Sequence, residues 1–471
     1  MKYLYMLLPL LLSASVGMAQ NISINATGAL PDESAMLDIT SLNSGILIPR
    51  LTTTQRDAIP IPANGLQIFN ITTKTLNVYT NSRWETIAYS RTSNIVYVSS
   101  LTDLPTPVGN GITLDATKMY IFSGVVNISP NFLNLNGASL RGTDPARDGV
   151  MSSVGGAVLR STNVSIFIKE LIIIPFSSAT RAFDFADASG TKFCNIFSGV
   201  SVVEAGIGSL GVGQVSGFKA ITIDKNYWNC TDGIKVAGNV GKFCAVLNFI
   251  TNISAGAGIE FLAGSTIEDI DLANNYFVYT GQTGIKVNAG SAVEIGRLTS
   301  NMFRGVGTLL IGVDPYSVGW QMISNTGIPN TRAFSFLYMT DNATVTNLPV
   351  ANIYYKIAGN TVTVNAKKFS ATTNRITYIG RTPIVGKVSV IIGGKAPVND
   401  SDFAIVIAKN GVIIPSPAAS MASASNNQSF QISFITELDL ATNDFVEVFI
   451  RSKNGIAKSL VVEEMQFRIT D

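Results

Sequence analysis

Gly233-Ile-Lys-Val236, Gly258-Ile-Glu-Phe261 and Gly284-Ile-Lys-Val287 repeat one short pattern at intervals of 25 and 26 residues, and Gly307-Thr-Leu-Leu310 follows 23 residues later. A second series keeps a similar spacing, with intervals of 22, 27 and 26 residues: Asn226-Tyr-Trp228, Asn248-Phe-Ile250, Asn275-Tyr-Phe277 and Asn301-Met-Phe303. Because two separate series share one period, this part of the chain is built from a repeated structural unit.

A period of this length is typical of one coil of a parallel β-helix, in which each coil contributes three short strands and Gly or Asn occupies the corners. Equivalent positions of successive coils stack on one another. The residues expected to form an internal apolar ladder are Ile234, Ile259 and Ile285. Those expected to stack at a corner are Asn226, Asn275 and Asn301. Those expected on an exposed, charge-compensated row are Lys235, Glu260 and Lys286.

The composition favours extended β-structure throughout the chain. Hydrophobic residues make up 46% of the 471 residues, charged residues only 14%, and glycine occurs 41 times. β-Branched side chains pack well on pleated surfaces, and Gly and Asn tolerate the positive φ of turns. A chain of this length also exceeds one ordinary hydrophobic core, so several domains are expected.

Histidine is absent, which removes Ser-His-Asp and Cys-His hydrolysis and His-ligated zinc from consideration. The net charge of +2, without a run of Lys or Arg, gives no electrostatic footprint for nucleic acid. Cys194, Cys230 and Cys244 lack metal-binding spacing, so we expect no metal and no cofactor. We favour buried free cysteines, and a Cys230–Cys244 disulfide is the alternative.

Residues 1–19 have the pattern of a secretory signal peptide. Lys2 supplies the positive end, Leu7–Leu12 the apolar run, and Gly17-Met-Ala19 a small-residue cleavage site. The pattern predicts export. The alternative is an uncleaved hydrophobic N-terminus that anchors the chain in a larger particle.

Residues 20–95 form a first unit with short strands expected at Gly65–Asn70 and Thr75–Tyr79. Four segments characterise it: Pro31-Asp-Glu-Ser-Ala-Met-Leu-Asp38, Ser44-Gly-Ile-Leu-Ile-Pro-Arg-Leu-Thr-Thr-Thr-Gln-Arg-Asp-Ala-Ile59, Gly65-Leu-Gln-Ile-Phe-Asn70 and Val78-Tyr-Thr-Asn-Ser-Arg-Trp84. Their order and spacing resemble an N-terminal module of secreted and phage-tail-like proteins of Bacteroidetes bacteria and their viruses. The resemblance implies attachment to other virion or surface proteins.

Residues 96–111, with Pro105 and Pro107, are interpreted as a linker to the repeat region at 112–330. That region resembles the pectate-lyase-like, right-handed β-helix of phage tailspikes. The whole chain is therefore expected to be all-β, with a small β-rich N-terminal module, a right-handed parallel β-helix and a C-terminal antiparallel domain.

Residues 331–471 contain longer alternating runs such as Lys387-Val-Ser-Val-Ile-Ile392 and Phe403-Ala-Ile-Val-Ile-Ala408, which predict an antiparallel sandwich. We interpret Pro415–Asn427 as a loop. Three segments carry a family resemblance: Asn374-Arg-Ile-Thr-Tyr-Ile-Gly380, Ile407-Ala-Lys-Asn-Gly-Val-Ile413 and Leu440-Ala-Thr-Asn-Asp-Phe-Val-Glu-Val448. They resemble the C1q/TNF-like jelly-roll heads of phage fibres, which implies a trimeric head.

A polysaccharide depolymerase would need two carboxylates roughly 5 to 10 Å apart, or an acidic cluster that holds Ca²⁺. The acidic residues that come closest to this requirement are Glu268, Asp269 and Asp271, together with Asp224, Asp232 and Glu260. Strand alternation puts Glu268 on the same side as Ile270, so an inward Ile270 implies an inward Glu268 unless a corner intervenes. We assign no catalytic residue and expect a solvated edge.

Aromatic residues cluster in the same coils. The residues that could stack on sugar rings are Tyr227, Trp228, Tyr276 and Tyr279. Tyr227 and Tyr276 both follow the repeated Asn, which is equally consistent with an aromatic packing ladder. A glycan-binding strip is therefore a hypothesis beside simple packing.

These patterns favour a homotrimeric receptor-binding spike or fibre, whose head recognises a glycan or protein on the host cell surface. The location expected is the virion surface or the extracellular space. Two alternatives remain. One is a tailspike-like polysaccharide depolymerase, a carboxylate-based lyase or hydrolase on the β-helix, and the other is a secreted bacterial surface adhesin.

Overall fold

The computed structural model describes residues 21–87, 94–204, 209–278, 283–305, 307–415 and 418–471. The chain divides into two compact units, Met1–Ser93 and Asn94–Asp471. The predicted signal peptide at residues 1–19 lies outside the described residues. Within the described ranges, no helix is both long enough and apolar enough to cross a membrane.

The described part of the first unit, residues 21–87, forms short strands and one short helix. Its strands are β1 (Ile22–Asn25), β2 (Leu37–Thr40), β3 (Arg50–Leu51), β4 (Gln67–Asn70), β5 (Thr75–Thr80) and β6 (Arg83–Ile87). Strands β1 and β2 pair in parallel, and the other four form a sheet in chain order. Helix α1 (Thr53–Asp57) begins with a capping box between Thr52 and Gln55. Strands β4 and β5 confirm the two strands predicted from the sequence.

The second unit begins with a long series of short strands. They are β7 (Ile95–Val98), β8 (Gly111–Thr113), β9 (Met119–Phe122), β10 (Val125–Asn127), β11 (Phe132–Asn134), β12 (Ser139–Gly142), β13 (Gly149–Ser152), β14 (Gly156–Thr162), β15 (Ile166–Lys169), β16 (Ile172–Pro175), β17 (Thr180–Ala186), β18 (Phe193–Phe197), β19 (Ser201–Val203), β20 (Gly213–Ser216), β21 (Ala220–Asp224), β22 (Tyr227–Asn229), β23 (Ile234–Ala237), β24 (Asn239–Val246), β25 (Phe249–Thr251), β26 (Ala257–Phe261), β27 (Thr266–Ala273), β28 (Tyr276–Val278), β29 (Thr283–Val287), β30 (Ala292–Thr299), β31 (Met302–Arg304), β32 (Thr308–Ile311) and β33 (Trp320–Ile323).

These strands form a right-handed parallel β-helix with three sheets. Sheet I has eight strands in the order β10-β13-β16-β19-β22-β25-β28-β31. Sheet II has nine strands, β32-β29-β26-β23-β20-β17-β14-β11-β8, and sheet III has ten, β33-β30-β27-β24-β21-β18-β15-β12-β9-β7. From β8 onward every third strand belongs to the same sheet, as the period of the sequence repeats requires.

The register confirms the stacks predicted from the repeats. Ile234 pairs with Ile259 and Ile259 with Ile285, and all three are fully buried. At one corner the amide side chains also stack: Asn248 Nδ2 donates to Asn275 Oδ1 at 2.8 Å, and Asn275 Nδ2 to Asn301 Oδ1 at 3.0 Å. The ladder runs from Asn226, whose backbone N–H donates to Asn248 Oδ1, to Asn325, which the sequence series did not include.

The β-helix starts earlier than the predicted boundary at residue 112. Strand β7 pairs in parallel with β9, and a 3₁₀ turn follows at Leu101–Asp103. Val98 and Leu104 lie in the same hydrophobic core as the later coils. The segment interpreted as a linker is therefore mostly part of the first coil, because its apolar side chains find partners there.

The cysteines lie in this part of the chain and are free. Cys194 and Cys230 are buried and Cys244 is partly buried. Burial raises the pKa of all three thiols above the ordinary value. The structure thus has the favoured free cysteines and lacks the alternative Cys230–Cys244 disulfide.

The rest of the second unit is an antiparallel sandwich. Its strands are β34 (Phe334–Met339), β35 (Val345–Asn347), β36 (Tyr355–Lys356), β37 (Val362–Lys367), β38 (Phe369–Thr372), β39 (Arg375–Tyr378), β40 (Ile384–Lys395), β41 (Ser401–Lys409), β42 (Val412–Ile413), β43 (Ala419–Ser423), β44 (Ser429–Leu440), β45 (Phe445–Ser452) and β46 (Ser459–Thr470).

Sheet IV has the strand order β37-β34-β46-β40-β44, with β35 added on β46. Sheet V has the order β38-β39-β45-β41-β42, with β36 on β45 and β43 on β41. One core contains residues from both sheets, among them Leu337, Val388, Phe403 and Val446. Strand β43 lies within the segment that was interpreted as a loop, so that interpretation was wrong for Ala419–Ser423.

Candidate functional site

The predicted charged row lies on the outward side of sheet II. Lys235 pairs in register with Glu260, and Glu260 with Lys286. Lys286 Nζ lies 2.8 Å from Glu260 Oε1, and Lys235 Nζ lies 3.5 Å from Glu260 Oε2. Glu260 is itself buried, because its two lysine neighbours and Asn288 enclose its carboxylate. The row is a network of ion pairs.

The acidic segment Glu268-Asp-Ile-Asp271 lies on β27, and its side chains do not alternate simply. Ile267 and Ile270 both point into the core, while Glu268 is exposed and Asp269 and Asp271 are partly exposed. The strand is irregular here, with two outward residues between the isoleucines, so Ile270 is inward without an inward Glu268 and strict alternation does not hold.

Asp269 forms ion pairs with two basic side chains. Arg297 Nη2 lies 2.6 Å from its Oδ1, and Lys242 Nζ lies 3.6 Å from its Oδ2. Asp271 pairs in register with Cys244 and with Arg297. These contacts make Asp269 part of an ion-pair network and do not indicate a catalytic role for it.

Glu268 lines a surface groove of about 670 Å³ together with Lys219, Asn239 and Thr266. A neighbouring depression of about 280 Å³ is lined by Glu268 and also by Glu294 and Arg381. Glu294 follows Val293, the register partner of Ile267, so the two glutamates lie on adjacent coils. Glu294 was not predicted from the sequence, because it stands alone between Val293 and Ile295, whereas Glu268 belongs to the acidic segment Glu268–Asp271.

The carboxyl groups with resolved pKa shifts are all shifted downward. Among the described residues they are Asp32, Asp103, Asp115, Asp148, Asp187, Glu260 and Asp444. For Glu260, burial raises the pKa, but hydrogen bonds from Asn288 and Lys286 and the charge of Lys235 outweigh burial and lower the pKa below its ordinary value. A general acid needs a raised pKa, so none of these seven carboxyls suits that role.

The aromatic candidates divide between the inside and the outside of sheet I. Tyr227 and Tyr276 are on the outward side, and Phe249 lies between them in register. Ring centroids are 5.7 Å apart for Tyr227–Phe249 and 5.0 Å for Phe249–Tyr276, with interplanar angles of 23° and 19°. The rings therefore stack on one another, and Phe249 joins this aromatic ladder although it was not among the predicted binding residues.

Trp228 is not available for binding. Its side chain is fully buried in the core of the β-helix, because strand alternation turns it inward when Tyr227 points outward. The interpretation of Trp228 as a surface ligand-binding residue was wrong. Tyr279 lies outside the described residues.

The sandwich has a shallow depression on the outward side of sheet IV. Phe336, Tyr338, Val364 and Ile391 contribute apolar side chains, and Gln466 contributes a polar one. The cavities along this side measure about 670 and 380 Å³. In the described part of the chain, no cluster of three or more His, Cys, Asp or Glu residues could hold a metal ion.

Comparison with known proteins adds one family match. Residues 23–103 match the family model described as a phage tail-like trimerisation region. This stretch covers most of the first unit and continues into the first coil of the β-helix. The match supports a trimeric phage tail or spike protein, and the all-β architecture of β-helix and sandwich follows from the structure itself.

Solved structures with a similar arrangement share little sequence with the chain. The enzymatically active domain of tailspike protein 4 of bacteriophage CBA120 is 11% identical with a TM-score of 0.26, covering 91% of this chain and 77% of that one. Murine APRIL is 11% identical with a TM-score of 0.22, covering 29% and 98%. Pantoea stewartii WceF, a glycan biofilm modifying enzyme with a tailspike-like parallel β-helix, is 10% identical with a TM-score of 0.23, covering 75% and 56%. A search of the curated proteins found no match.

Proposed function

We propose that the chain is the subunit of a homotrimeric receptor-binding spike or tail fibre of a phage particle. In this proposal the N-terminal region joins three copies and attaches them to other virion proteins. The β-helix separates that attachment from the sandwich, which contacts a glycan or protein on the host cell surface. The observation that carries the proposal is the order along the chain: a trimerisation match, then a β-helix, then a sandwich.

The surface of the first unit supports self-association. Leu30, Leu42, Leu47 and Ile61 are each at least 81% exposed in the single chain. Soluble proteins rarely leave so many large apolar side chains in water unless a partner covers them. All four lie within residues 23–103, so we assign the covering partner to two further copies of the same region.

The sandwich is assigned the contact with the host. Three identical sandwiches in one particle would multiply a weak contact through avidity, without a deep pocket in each copy. The resemblance of this region to trimeric heads fits the apolar outward side of sheet IV, where Phe336, Tyr338 and Ile391 would pack between copies. Host contact then falls to the exposed loops, such as the one around Asn426.

Two measurements test this function. Light scattering of the full chain should give three times the subunit mass of 50.1 kDa, and a strict monomer at micromolar concentration would contradict the proposal. For host contact, Asn426→Cys and Ser254→Cys would each be coupled to a bulky polymer, because both positions are exposed and lie on the sandwich and the β-helix respectively. Blocked adsorption with the first and normal adsorption with the second is expected. The reverse pattern would move the contact to the β-helix.

A glycan hydrolase is the second candidate, favoured by one observation. Glu268 and Glu294 lie on adjacent coils and line the same depression, and retaining glycosidases use two carboxyl groups about 5 Å apart. Incubation of host polysaccharide with the full chain, with Glu268→Gln and with Glu294→Gln would test it. Turnover lost in both variants supports the enzyme, and turnover that survives both substitutions excludes this pair.

A further inference from the structure

The outward sides of the three β-helix sheets differ in charge. On sheet II, Asp184 pairs in register with Arg160, and the row continues to Lys235, Glu260 and Lys286. On sheet III, the ion pairs that join Asp269 to Lys242 and Arg297 link three strands. Both sheets therefore present charges that compensate one another and interact well with water.

Sheet I presents an apolar surface instead. Arg304, on its last strand, is the single charged residue among the outward strand positions of this sheet, all of which the structure describes. One outward row of residues runs in register across all eight strands, with the small residues Gly149 and Ser201 at two of its positions. Its large side chains are Val125, Ile172, Tyr227, Phe249, Tyr276 and Met302.

The aromatic part of this row suits a flat partner better than a sugar. Sugar rings stack on the face of an aromatic ring, but Tyr227, Phe249 and Tyr276 already use their faces on one another. They turn ring edges outward. A row of edges beside Met302 and Val125 forms a flat apolar strip, which packs well against another strip of the same kind.

We propose that sheet I is the face through which the β-helices of three copies pack side by side. The proposal rests on the proposed homotrimer and names the surface that the trimer uses along the β-helix. The occupant is a second copy, because the trimerisation match extends to Asp103 and thus through β7 into the first coil. Three copies joined at that coil continue as three neighbouring β-helices.

Identical β-helices also fit one another in spacing. Adjacent strands of a sheet lie about 4.8 Å apart, so the rows of one copy meet the rows of the next coil by coil along the whole length. The charged rows of sheets II and III would then stay in water. Packing through either of those sheets would bury ion pairs, and desolvation of those charges opposes such an interface.

A photocrosslinking experiment on the full chain tests the assignment. Met302 and Ile311 are 45% and 40% exposed and lie on neighbouring strands of sheets I and II near the end of the β-helix. Benzoylphenylalanine placed at Met302 should give covalent dimers and trimers after irradiation, and the same group at Ile311 should not. Light scattering on each sample reports whether it is a trimer before irradiation.

The outcomes separate this inference from the proposed function. A trimer without crosslinks at Met302, or with equal crosslinks at Ile311, overturns sheet I as the interface and leaves the trimer in place. A monomer overturns both. As a second measurement, Phe249→Glu should raise the concentration at which the trimer dissociates by at least about tenfold, against less than about twofold for Ile311→Glu. An equal effect of the two substitutions would also contradict the assignment.

Discussion

The β-helix and the sandwich both hold polar side chains inside β-structure, but with different chemistry. In the β-helix, five buried asparagines form a ladder in which the Oδ1 of each later residue accepts from the backbone or side-chain N–H of the residue before it: Asn226, Asn248, Asn275, Asn301 and Asn325. In the sandwich, the buried carboxylate of Glu447 accepts from Lys356 Nζ at 2.6 Å and from Arg375 Nε at 2.9 Å. The first arrangement is uncharged and recurs in successive coils, and the second is a single carboxylate between two cations.

The difference follows from strand pairing. Where coils in register place the same residue type above itself, as at the asparagine corner, a stacked side chain must both donate and accept, and an amide can do both. A stacked carboxylate would meet its own charge. The antiparallel sandwich has no such repeat, so Glu447 can have two cations as neighbours. Register therefore favours an amide where like residues stack. Where the stacked residues differ, as with Glu260 between Lys235 and Lys286, the β-helix can bury a carboxylate too.

Removing one rung of the ladder should have the largest effect. Asn275→Ala deletes the acceptor of the Asn248 N–H and Nδ2 and the donor to Ala245 O and Asn301 Oδ1. Buried groups left without partners cost about 1 to 3 kcal/mol each, so we expect a loss of about 3 to 5 kcal/mol in the unfolding of the β-helix. Denaturant unfolding followed by circular dichroism measures it.

The matched control is Asn229→Ala, since Asn229 lies on the outward side and, among the contacts described, its side chain only accepts one hydrogen bond, from Nδ2 of the exposed Asn252. It should change stability by less than about 1 kcal/mol. If both asparagine substitutions had the same effect, the ladder would contribute nothing beyond an ordinary surface amide.

Breaking the charged cluster should have the next largest effect. Glu447→Ala leaves Lys356 and Arg375 without their shared acceptor, but both cations are about 40% exposed and can bind water instead. We therefore expect a loss of about 2 kcal/mol, below the range for fully buried pairs. Thermal unfolding of the sandwich measures it. A loss larger than that of Asn275→Ala would reverse the comparison.

The sequence predicted the buried polar residues of the β-helix better than those of the sandwich. The isoleucine stack and the asparagine corner could be predicted because like residues recur at the coil period. Asn325 escaped, since the residue after it is Thr326 and not the large apolar residue of the series. Glu447 could not be predicted to be buried, because its partners lie 91 and 72 residues away along the chain.

Local irregularity limited the prediction of the site. Strict alternation would have turned Glu268 inward, and only the three-dimensional packing reveals that both Ile267 and Ile270 reach the core. The Ala- and Ser-rich β43 has no alternating apolar pattern, so its strand depends on pairing with β41. Sequence separation and tertiary pairing, which no local pattern encodes, account for these errors.

The loss of stability at low pH should depend on salt differently in the β-helix and in the sandwich. Asp148 in the β-helix accepts from Gly124 N, Thr143 N and Oγ1, and Asp144 N. Burial raises its pKa, but these hydrogen bonds outweigh burial and lower it from 3.8 to about 2. In the sandwich, Asp444 reaches a similar pKa of about 2 with help from the charge of Lys409.

Since both folded-state pKa values are depressed, each carboxylate contributes its stability above pH 3.8 and loses it as the pH falls through about 2. Asp148→Asn and Asp444→Asn should each lower the free energy of unfolding at neutral pH by on the order of 1 to 2 kcal/mol. In each variant the free energy of unfolding should also fall less steeply as the pH is lowered through this range. At 1 M salt the effect of Asp444→Asn should shrink, and that of Asp148→Asn should not. If salt changed the effects of the two substitutions equally, the charge of Lys409 would not contribute to the stability that Asp444 provides.

The smallest expected effect concerns the contact between the two regions. Arg381 of the sandwich donates from Nη1 to Val293 O, at 2.9 Å, and to Glu294 O, both on β30 of the β-helix. These carbonyls precede Gly296, where the pairing of β30 with β33 begins, so Arg381 binds backbone that the last strand leaves uncovered. Lys368 donates in the same way to Trp320 O on β33 itself.

Arg381→Ala should therefore remove about 1 kcal/mol from the end of the β-helix, because a charge-assisted bond to an exposed edge is replaced by water. Hydrogen exchange should accelerate in β30 and β33 while the rest of sheet III stays protected, since each coil depends chiefly on its neighbours. Lys395→Ala, on an exposed sandwich position, should leave exchange in β30 unchanged. Faster exchange along the whole β-helix would mean that the sandwich stabilises every coil, and that the two regions unfold as one.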